Sequence, residues 1–170
     1  MRLKPDAYYR KIENIPWNSY IEVGITHILV DADNTLFCHG RYMADEDSIE
    51  IVRNIQKKGL KLILCSNAKK DRAKKIAETL GIDYIASCKK PSPDKINMFI
   101  KNNGLSNDEI IIVGDQYFTD VLAGKYAKIR TVLLKPRSKS EPWYICIKRI
   151  FEVILYFFMG LRDFYDYIEK

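Results

Sequence analysis

The sequence has little of what secreted, zinc-binding or membrane-spanning proteins require. Its four cysteines show no CxxC spacing, and one of them stands inside an apolar strand-like run, so neither a disulfide framework nor a zinc site is indicated. Residues 1–11 are polar and basic and no signal-peptide cleavage pattern follows them, which favours a reducing cytoplasm over secretion. The cysteines are Cys38, Cys65, Cys88 and Cys146.

Internal repeats and low-complexity tracts are also missing, and the composition is that of one globular domain. The chain has 170 residues, of which 47% are hydrophobic, and this is ample for a single core. Its net charge of +6 favours anionic partners, which include phosphorylated small molecules, nucleic acid and an acidic lipid surface. Charge alone does not choose among these partners.

From Thr26 onward, short apolar runs alternate with stretches of helical spacing. The runs predict strands, and the stretches between them predict helices, several of which end at a glycine. This alternation predicts an α/β fold with a Rossmann-like parallel sheet and helices on both faces, in which ligands bind beyond the carboxyl ends of the strands. The predicted strands are 28–30, 60–65, 84–86, 110–113 and 131–134, and the predicted helices are 45–57, 70–80, 93–103 and 119–127.

We divide the chain into three parts on the same pattern. Residues 1–25 form an amino-terminal arm, residues 26–140 form the main domain, and residues 141–170 form a basic and aromatic helical tail. The apolar residues of the arm are predicted to pack on the domain. They are Tyr8, Tyr9, Ile12, Ile15 and Trp17.

Two carboxylates directly follow the first predicted strand. Asp31 and Asp33 end an apolar run, and the alternation of side chains along a strand places them on the same side. Carboxylates this close repel each other unless a cation or a shared proton relieves them, and a hard divalent ion, most simply Mg2+, would do so. The alternative is a turn that ends the strand, since Asp, Asn and Thr are common turn residues.

Polar groups follow the later strands in the same way. Ser66 and Asn67 come after the second predicted strand, where a hydroxyl and the backbone amides of a helix start can bind phosphate oxygens, although a plain helix cap is the alternative. Lys90 precedes Pro91, which biases the lysine backbone away from the helical region. A lysine there can neutralise a nucleophile and phosphoryl oxygens, and Lys89 is the competing candidate.

Two further carboxylates complete the set. Asp115 follows Gly114 at the end of a predicted strand, and Asp120 stands near the start of the next predicted helix. Either carboxylate can ligate Mg2+ or orient its waters, while Asp120 is also a favourable charge at a helix amino terminus. The sequence leaves open which of them binds the metal directly.

These segments, in this order and strand context, resemble the motifs of the haloacid-dehalogenase-like superfamily of phosphohydrolases. The resemblance runs from Asp31 to Asp120. It implies that Asp31 is the nucleophile and forms an aspartyl-phosphate. It also implies that Asp33 protonates the leaving alcohol and then takes a proton from the water that hydrolyses the intermediate.

The resemblance implies binding groups as well. Ser66, with support from Asn67, would contact the phosphate, and Lys90 would neutralise both the nucleophile and the phosphoryl oxygens. A metal ion, Mg2+, is the implied cofactor. Its implied ligands are Asp31, the backbone carbonyl of Asp33 and Asp115, with Asp120 behind them.

The substrate is addressed only by the finer resemblance. The superfamily usually selects substrates through inserted cap domains, but residues 37–45 and 81–90 leave no room for one, which implies an open site suited to a large phosphorylated substrate. Two sequence motifs are similar to those of the YqeG-type branch of subfamily IIIA. They are DxDNTL, which begins at Asp31, and GDQxxTDVLAGK, which begins at Gly114. That branch is similar to phosphatidylglycerophosphate phosphatases, so the implied substrate is phosphatidylglycerophosphate.

The tail gives partly independent support for a lipid partner. Residues 125–149 include eight basic residues and one acidic residue, and residues 150–161 are apolar except for Glu152. That stretch is shorter than the about 20 residues of a membrane span, but its basic flank and aromatic residues favour an interfacial helix at the inner face of the membrane. The alternatives are a helix that packs on the domain or on a second subunit, and a basic run that is merely solvated.

Two other functions stay open at this point. One is a phosphatase that acts on a soluble metabolite, a nucleotide, a protein or a nucleic-acid end, and the other is a catalytically silent interaction protein. No recognised nucleic-acid-binding module is present, so nucleic acid is not an expected partner, and no obligate protein partner can be inferred. The clustered Asp31, Asp33, Lys90 and Asp115 argue against a silent protein, because a scaffold has no need of them.

Overall fold

The computed structural model describes residues 4–38, 43–138 and 141–161. A six-stranded parallel sheet forms its centre, with the strand order β1-β6-β5-β2-β3-β4. The strands are β1 (Ala7–Tyr9), β2 (His27–Val30), β3 (Lys61–Cys65), β4 (Asp83–Ile85), β5 (Ile110–Gly114) and β6 (Arg130–Leu134). The helices are α1 (Trp17–Glu22), α2 (Glu46–Gln56), α3 (Lys70–Leu80), α4 (Asp94–Asn102), α5 (Leu122–Ala127) and α6 (Trp143–Phe158).

The predicted α/β fold with a parallel sheet is confirmed, and side-chain alternation in the strands explains it. Ile28 and Val30 of β2 pack in a core cluster with residues of α2 and α3, whereas Leu29 packs in a second cluster with residues of α4 and α5. Both faces of the sheet are therefore covered by helices. This explains why the central strands are continuous apolar runs, of which β5 is buried along its whole length.

The helix ends follow local capping chemistry. The carboxylate of Asp45 accepts a hydrogen bond from the Ser48 backbone amide at 3.0 Å and so caps the start of α2. Gly81 ends α3 with a φ of 65°, in the left-handed region that favours glycine. The predicted helices 45–57 and 70–80 end within a residue of the observed ones, and a glycine was the predicted stop of α3.

The amino-terminal region adds a strand that the sequence pattern did not predict. Strand β1 pairs in parallel with β6 at the edge of the sheet, with Ala7 opposite Val132. Ile12, Ile15 and Trp17 are buried in the core cluster that includes residues of α2 and α3. The apolar residues of this region thus belong to the main core.

The strand order creates a crevice between β2 and β5. From β2 the chain moves to β3 and β4 on one side and then returns to β5 and β6 on the other side. The connections that leave the carboxyl ends of β2 and β5 therefore diverge, and such a switch point is where ligands bind in open α/β sheets.

Helix α6 follows the sheet and presents two different faces. Its inner face packs on the domain, where Tyr156 joins Tyr117, Val121, Leu133 and Leu161 in a small core cluster. Its outer face is exposed and apolar. We define the outer face of α6 as Trp143, Ile147, Ile150, Phe151, Ile154, Phe157 and Phe158.

None of the helices in the described part of the chain combines the length and apolarity needed to cross a bilayer. The inner face of α6 shows that the tail packs on the domain, which was one of the alternatives left open by its sequence. The end of the predicted tail, residues 162–170, lies outside the described residues.

Candidate active site

Three buried carboxylates meet at the switch point of the sheet. Asp31 directly follows β2, Asp115 directly follows β5, and Asp120 lies on the π-helical turn Tyr117–Val121. One carboxylate oxygen from each of the three lies within 4.8 Å of the others. The structure therefore brings together three residues that were predicted from separate segments.

The loop after β2 is held in place by backbone hydrogen bonds. The Asp31 amide donates to the Val113 carbonyl at 3.0 Å, which extends the pairing of β2 with β5 by one residue. Asn34 then adopts a φ of 57°, a left-handed conformation that asparagine tolerates better than most residues. The chain consequently turns sharply behind Asp31.

Gly114 allows Asp120 to reach the other two carboxylates. A Cβ atom at this position would overlap the carboxylate carbon and Oδ2 of Asp120, so no larger residue fits there without moving Asp120. The Gln116 amide also donates to Oδ2 of Asp120 at 3.1 Å. The Gly-Asp pair at the end of β5 is thus explained by close packing as well as by chemistry.

Lys90 lies between two of the carboxylates. Its Nζ donates to Oδ1 of Asp31 at 2.8 Å and to Oδ1 of Asp120 at 2.5 Å, and its side chain is buried. Lys89, the competing candidate, is exposed. The structure therefore places Lys90 in the site and Lys89 outside it.

Asn67 holds the backbone of Lys90. Its Nδ2 donates to the Lys90 carbonyl at 2.9 Å, and the Lys90 amide donates to its Oδ1 at 2.7 Å. Ser66 is buried at the carboxyl end of β3, and its Oγ accepts a hydrogen bond from the Ala68 amide at 3.2 Å. Asn67 thus fixes the segment that carries the lysine, and the Ser66 hydroxyl bonds to the turn that leads into α3.

Asp33 does not join the three carboxylates through its side chain. Its two oxygens accept hydrogen bonds from Nη1 and Nη2 of Arg72, each at 2.7 Å. Arg72 lies in the first turn of α3 and was not singled out in the sequence, where it follows Lys69, Lys70 and Asp71 in a charged stretch. This bidentate pair fixes the position of the Asp33 carboxylate beside the turn that carries Asp31.

The side chains of the site carry more negative than positive charge. Burial, with a smaller contribution from the charges of Asp120 and Asp33, outweighs the lowering effect of Lys90 and raises the pKa of Asp31 to about 6. Burial alone would lower the pKa of Lys90, but Asp120 and Asp31 raise it well above its usual value. The lysine is therefore firmly protonated, yet it does not satisfy all of the carboxylates around it.

Asp115 shows the same imbalance. Burial raises its pKa well above the usual range, and Asp120 and Asp31 add to this, while Arg149 acts in the opposite direction. Arg149 comes from α6, and its Nη2 donates to Oδ2 of Asp115. One feature of the sequence points to this part of the site. Glu152, a partner of Arg149, is the one charged residue in the otherwise apolar stretch 150–161.

This donor set suits a hard divalent cation. Carboxylate oxygens are the ligands that such ions prefer, and the opposing positive charges are too few for the carboxylates present. Burial is the main cause of the raised pKa of Asp31 and of Asp115, and neighbouring carboxylates add to it. A divalent cation would favour the ionised form of both residues. In the described part of the chain, the carboxylates at and around the site outnumber the cations paired with them by six to three. The carboxylates are Asp31, Asp33, Asp115, Asp120, Glu141 and Glu152, and the cations are Arg72, Lys90 and Arg149.

Known proteins match this arrangement of fold and site. A family model for haloacid dehalogenase-like hydrolases matches residues 10–128, which is most of the chain. The chain therefore belongs to the haloacid dehalogenase-like hydrolases. Within them it belongs with the YqeG-type phosphatases, since it is 31% identical over 137 residues to "Probable phosphatase YqeG" of Bacillus subtilis (strain 168), with 81% of this chain and 80% of that protein covered.

Solved structures share the fold. An uncharacterized protein from Listeria monocytogenes serotype 4b superposes with a TM-score of 0.56 at 19% identity, over 69% of this chain and 84% of that chain. The amino-terminal part of a Bacteroides fragilis protein, which contains a phosphatase domain and was solved in complex with Mg, gives a TM-score of 0.54 at 16% identity. That match covers 71% of this chain and 39% of the other.

Proposed function

We propose that this phosphatase is a Mg2+-dependent phosphate monoester hydrolase that works through an aspartyl-phosphate at Asp31 and acts on phosphatidylglycerophosphate. The observation that carries the chemistry is the position of Asp31, whose carboxylate lies at the switch point against Lys90 and beside two further buried carboxylates. Asp31 is the one member of this group that directly follows the central strand β2.

The reaction has two displacements. In the first, an Asp31 oxygen bonds to phosphorus, the ester bond to the leaving oxygen breaks, and Asp33 gives a proton to the departing alcohol. In the second, water attacks the phosphorus while Asp33 takes a proton from it, which releases inorganic phosphate and restores Asp31. Both Asp33 oxygens accept hydrogen bonds from Arg72, which is the ionised form that takes the proton in the second displacement. For the first displacement, one of these oxygens would leave Arg72 and carry the proton that passes to the alcohol.

Lys90 and Ser66 bind the transferred group. The Lys90 ammonium, already bonded to Asp31, neutralises the nucleophile and the phosphoryl oxygens as they approach each other. Ser66 lies buried at the end of the neighbouring strand β3, where its hydroxyl would donate to a phosphate oxygen. Asn67 holds the backbone of Lys90 in place.

Mg2+ is the cofactor that fits the carboxylates. Asp31 and Asp115 would hold it together with the backbone carbonyl of Asp33, and Asp120 would stand behind them, bonded to Lys90. When bound, the ion would offset negative charge between the carboxylates and the phosphate. The Mg complex of the Bacteroides fragilis phosphatase domain supports this choice of metal.

The lipid substrate is supported by the setting of the site. Residues 31–45, between β2 and α2, and residues 86–93, between β4 and α4, are too short for an inserted domain. The helix whose outer face is apolar also touches the site through Arg149. Contact of that face with the anionic inner surface of the membrane, by a protein of the cytoplasm, would place the phosphate of a lipid beside Asp31.

Phosphate release from phosphatidylglycerophosphate in mixed micelles tests this proposal. The same protein is assayed with Mg2+ on glycerol phosphate and on p-nitrophenyl phosphate at equal concentration. We expect kcat/KM to be at least tenfold higher for the lipid. Equal or faster turnover of the soluble esters would keep the chemistry and refute the lipid substrate.

A further inference from the structure

An arginine from α6 reaches the cluster of the three buried carboxylates Asp31, Asp115 and Asp120. Arg149 is almost fully buried, and its five N–H donors all have acceptors. Nη1 donates to the Asp115 carbonyl at 2.6 Å, and Nη2 donates to Oδ2 of the same residue. Arg149 therefore grips Asp115 by both its backbone and its side chain.

The other partners of Arg149 fix the guanidinium itself. Nε and Nη2 donate to the two oxygens of Glu141, at 3.1 and 2.7 Å, and Nη1 donates to Glu152 at 3.0 Å. Glu141 is held in turn by Nδ2 of Asn34 at 2.6 Å, and Glu152 accepts from the Phe118 amide at 3.2 Å. The arginine is thus tied to the loop after β2 and to the turn that carries Asp120.

We infer that Arg149 is a positioning residue for Asp115 as a metal ligand. By holding Oδ2 it fixes the rotamer of the carboxylate, while Oδ1, which accepts from Thr35 Oγ1 at 3.3 Å, lies on another side of the group. Outer hydrogen bonds of this kind orient ligating carboxylates, and their loss usually weakens metal affinity by 10- to 100-fold. The inference rests on the proposed metal-dependent function.

A mere counter-ion would be bonded differently. An arginine that only took the place of a cation would bond to Asp31, Asp115 and Asp120 together. A bound metal would then displace it from them. Arg149 instead bonds one carboxylate of the three, together with a backbone carbonyl and two glutamates outside the group. Its surroundings stay negative with the arginine present, so its charge does not replace that of a divalent ion.

This role extends the site beyond the segment that matches the family. The family match ends at residue 128, whereas Arg149 lies 21 positions further along the chain. Helix α6 therefore supplies the hydrogen bonds that complete the metal site of a domain it follows in sequence.

The test is the affinity of the full-length protein for Mn2+, measured by isothermal titration and by the loss of free Mn2+ signal in electron paramagnetic resonance. Arg149→Lys keeps the charge but loses the forked geometry. We expect it to bind Mn2+ at least fivefold more weakly than the wild type and to need correspondingly more Mg2+ for turnover. The matched control is Arg53→Lys on the exposed side of α2, which should bind Mn2+ like the wild type.

Each outcome decides the inference. Unchanged Mn2+ affinity in Arg149→Lys would show that the arginine only docks α6, and tighter binding would show that it competes with the metal; either result overturns the positioning role. Thermal melting without metal checks the fold of the variant. If Arg149→Lys does not fold, Asn34→Gly is the second variant. It removes a hydrogen bond to Glu141 without a change of charge, and glycine suits the left-handed backbone at this position. It should weaken Mn2+ binding measurably, and an unchanged affinity would refute the inference.

The result is separable from the lipid proposal. A protein that binds Mn2+ in an Arg149-dependent way but does not hydrolyse phosphatidylglycerophosphate would support the positioning role and reject the substrate. A wild type that binds no Mn2+ would reject the positioning role whatever its activity.

Discussion

At the scale of single residues, the site depends on charges that are buried but not fully paired. An ionised carboxylate is costly to bury alone, and a buried ion pair that loses one partner typically costs about 3–5 kcal/mol. Lys90 bonds to Asp31 and Asp120, and Arg149 bonds to Asp115. The pKa of Asp31 and of Asp115 is raised all the same, first by burial and then by the neighbouring carboxylates. The residues are therefore arranged for a further cation rather than for stability alone.

Gly114→Ala should damage the site through Asp120. The added methyl group would overlap the Asp120 carboxylate, so Lys90 would lose one of its two partners. We expect kcat to fall at least tenfold and the free energy of unfolding to fall by about 1–3 kcal/mol, as for other overpacked sites. Steady-state kinetics and chemical denaturation measure the two effects.

The matched control for this variant is Gly124→Ala. A Cβ there would overlap methyl groups of Thr131 and Ile112, in the core and away from the carboxylates. It should lose stability to a similar extent and keep its kcat. Equal losses of kcat in both variants would show that Gly114 acts through the fold and not through Asp120.

The sequence was enough to predict that the site residues that follow strands lie close together. It was not enough to predict that Arg149, from a later helix, contacts them. Asp31, Lys90, Asp115 and Asp120 stand after strands of one parallel sheet, so sheet topology alone brings them to one edge. Arg149 lies in a helix whose docking depends on tertiary packing, and nothing local to its sequence marks its partner. Only the single charge in the apolar stretch of the tail hinted at a buried ion pair.

At the scale of the elements, the short strand β1 depends on one side chain. The Asp6 carboxylate accepts hydrogen bonds from the Thr131 amide at 2.9 Å, the Thr131 hydroxyl at 2.8 Å and Nζ of Lys125 at 2.7 Å. Burial by itself raises the pKa of Asp6, but these hydrogen bonds outweigh it and lower the pKa below the ordinary 3.8. The edge of the sheet is thus fastened by an ionised carboxylate.

Asp6→Asn should make the free energy of unfolding depend less on pH in the acidic range. Because the folded pKa is depressed, the contribution of Asp6 is present at neutral pH and is lost as the pH falls through the folded pKa, below 3.8. We expect the variant to be less stable by about 1 kcal/mol at pH 7, a modest value because Asp6 is half exposed. Urea denaturation at several pH values should show the gap closing as the pH approaches 3.

Asp108→Asn removes the same charge from an exposed position and serves as the control. Its stability should follow that of the wild type at every pH. A gap for Asp6→Asn that stays constant with pH would mean that the carboxylate is not ionised in the fold or that its bonds do not matter.

The long elements were predictable and the irregular ones were not. Apolar runs and glycine stops gave the central strands and helices to within two residues. Strand β1 has three half-buried residues, which is too few for an alternating pattern. The predicted helix 119–127 begins instead as a π-helical turn at Tyr117, which carries Asp120 toward Gly114 before α5 starts at Leu122.

At the scale of the whole molecule, α6 joins an apolar surface to the site. Its inner face holds Arg149 on Asp115, and its outer face exposes aromatic side chains such as Phe151 and Phe158, which are 60% and 80% exposed. Two of the basic residues that precede α6 form ion pairs within the domain: Lys125 binds Asp6 and Arg137 binds Glu13. The apolar face is therefore the stronger structural argument for contact with lipid.

Binding to vesicles that contain phosphatidylglycerol should depend on this face. In co-sedimentation, the double variant Phe151→Ser with Phe158→Ser should bind at least fivefold more weakly than the wild type, and salt should weaken binding of both proteins because the chain carries a net charge of +6. The control replaces two other exposed apolar residues, Met43 and Met98, with serine, and should bind like the wild type. Equal binding of the wild type to neutral and to anionic vesicles would contradict the proposed membrane contact.

The most direct test of the whole account is Mg2+-dependent phosphate release by the wild type and by Asp31→Asn, each on phosphatidylglycerophosphate and on p-nitrophenyl phosphate. The account predicts turnover by the wild type only when Mg2+ is present, and no turnover by Asp31→Asn. Thermal melting should show that this variant is folded, because its amide oxygen can still accept from Lys90 and Lys90 keeps its bond to Asp120. Phosphate release that persists in a folded Asp31→Asn protein would contradict it, because the carboxylate at the end of β2 could then not be the nucleophile.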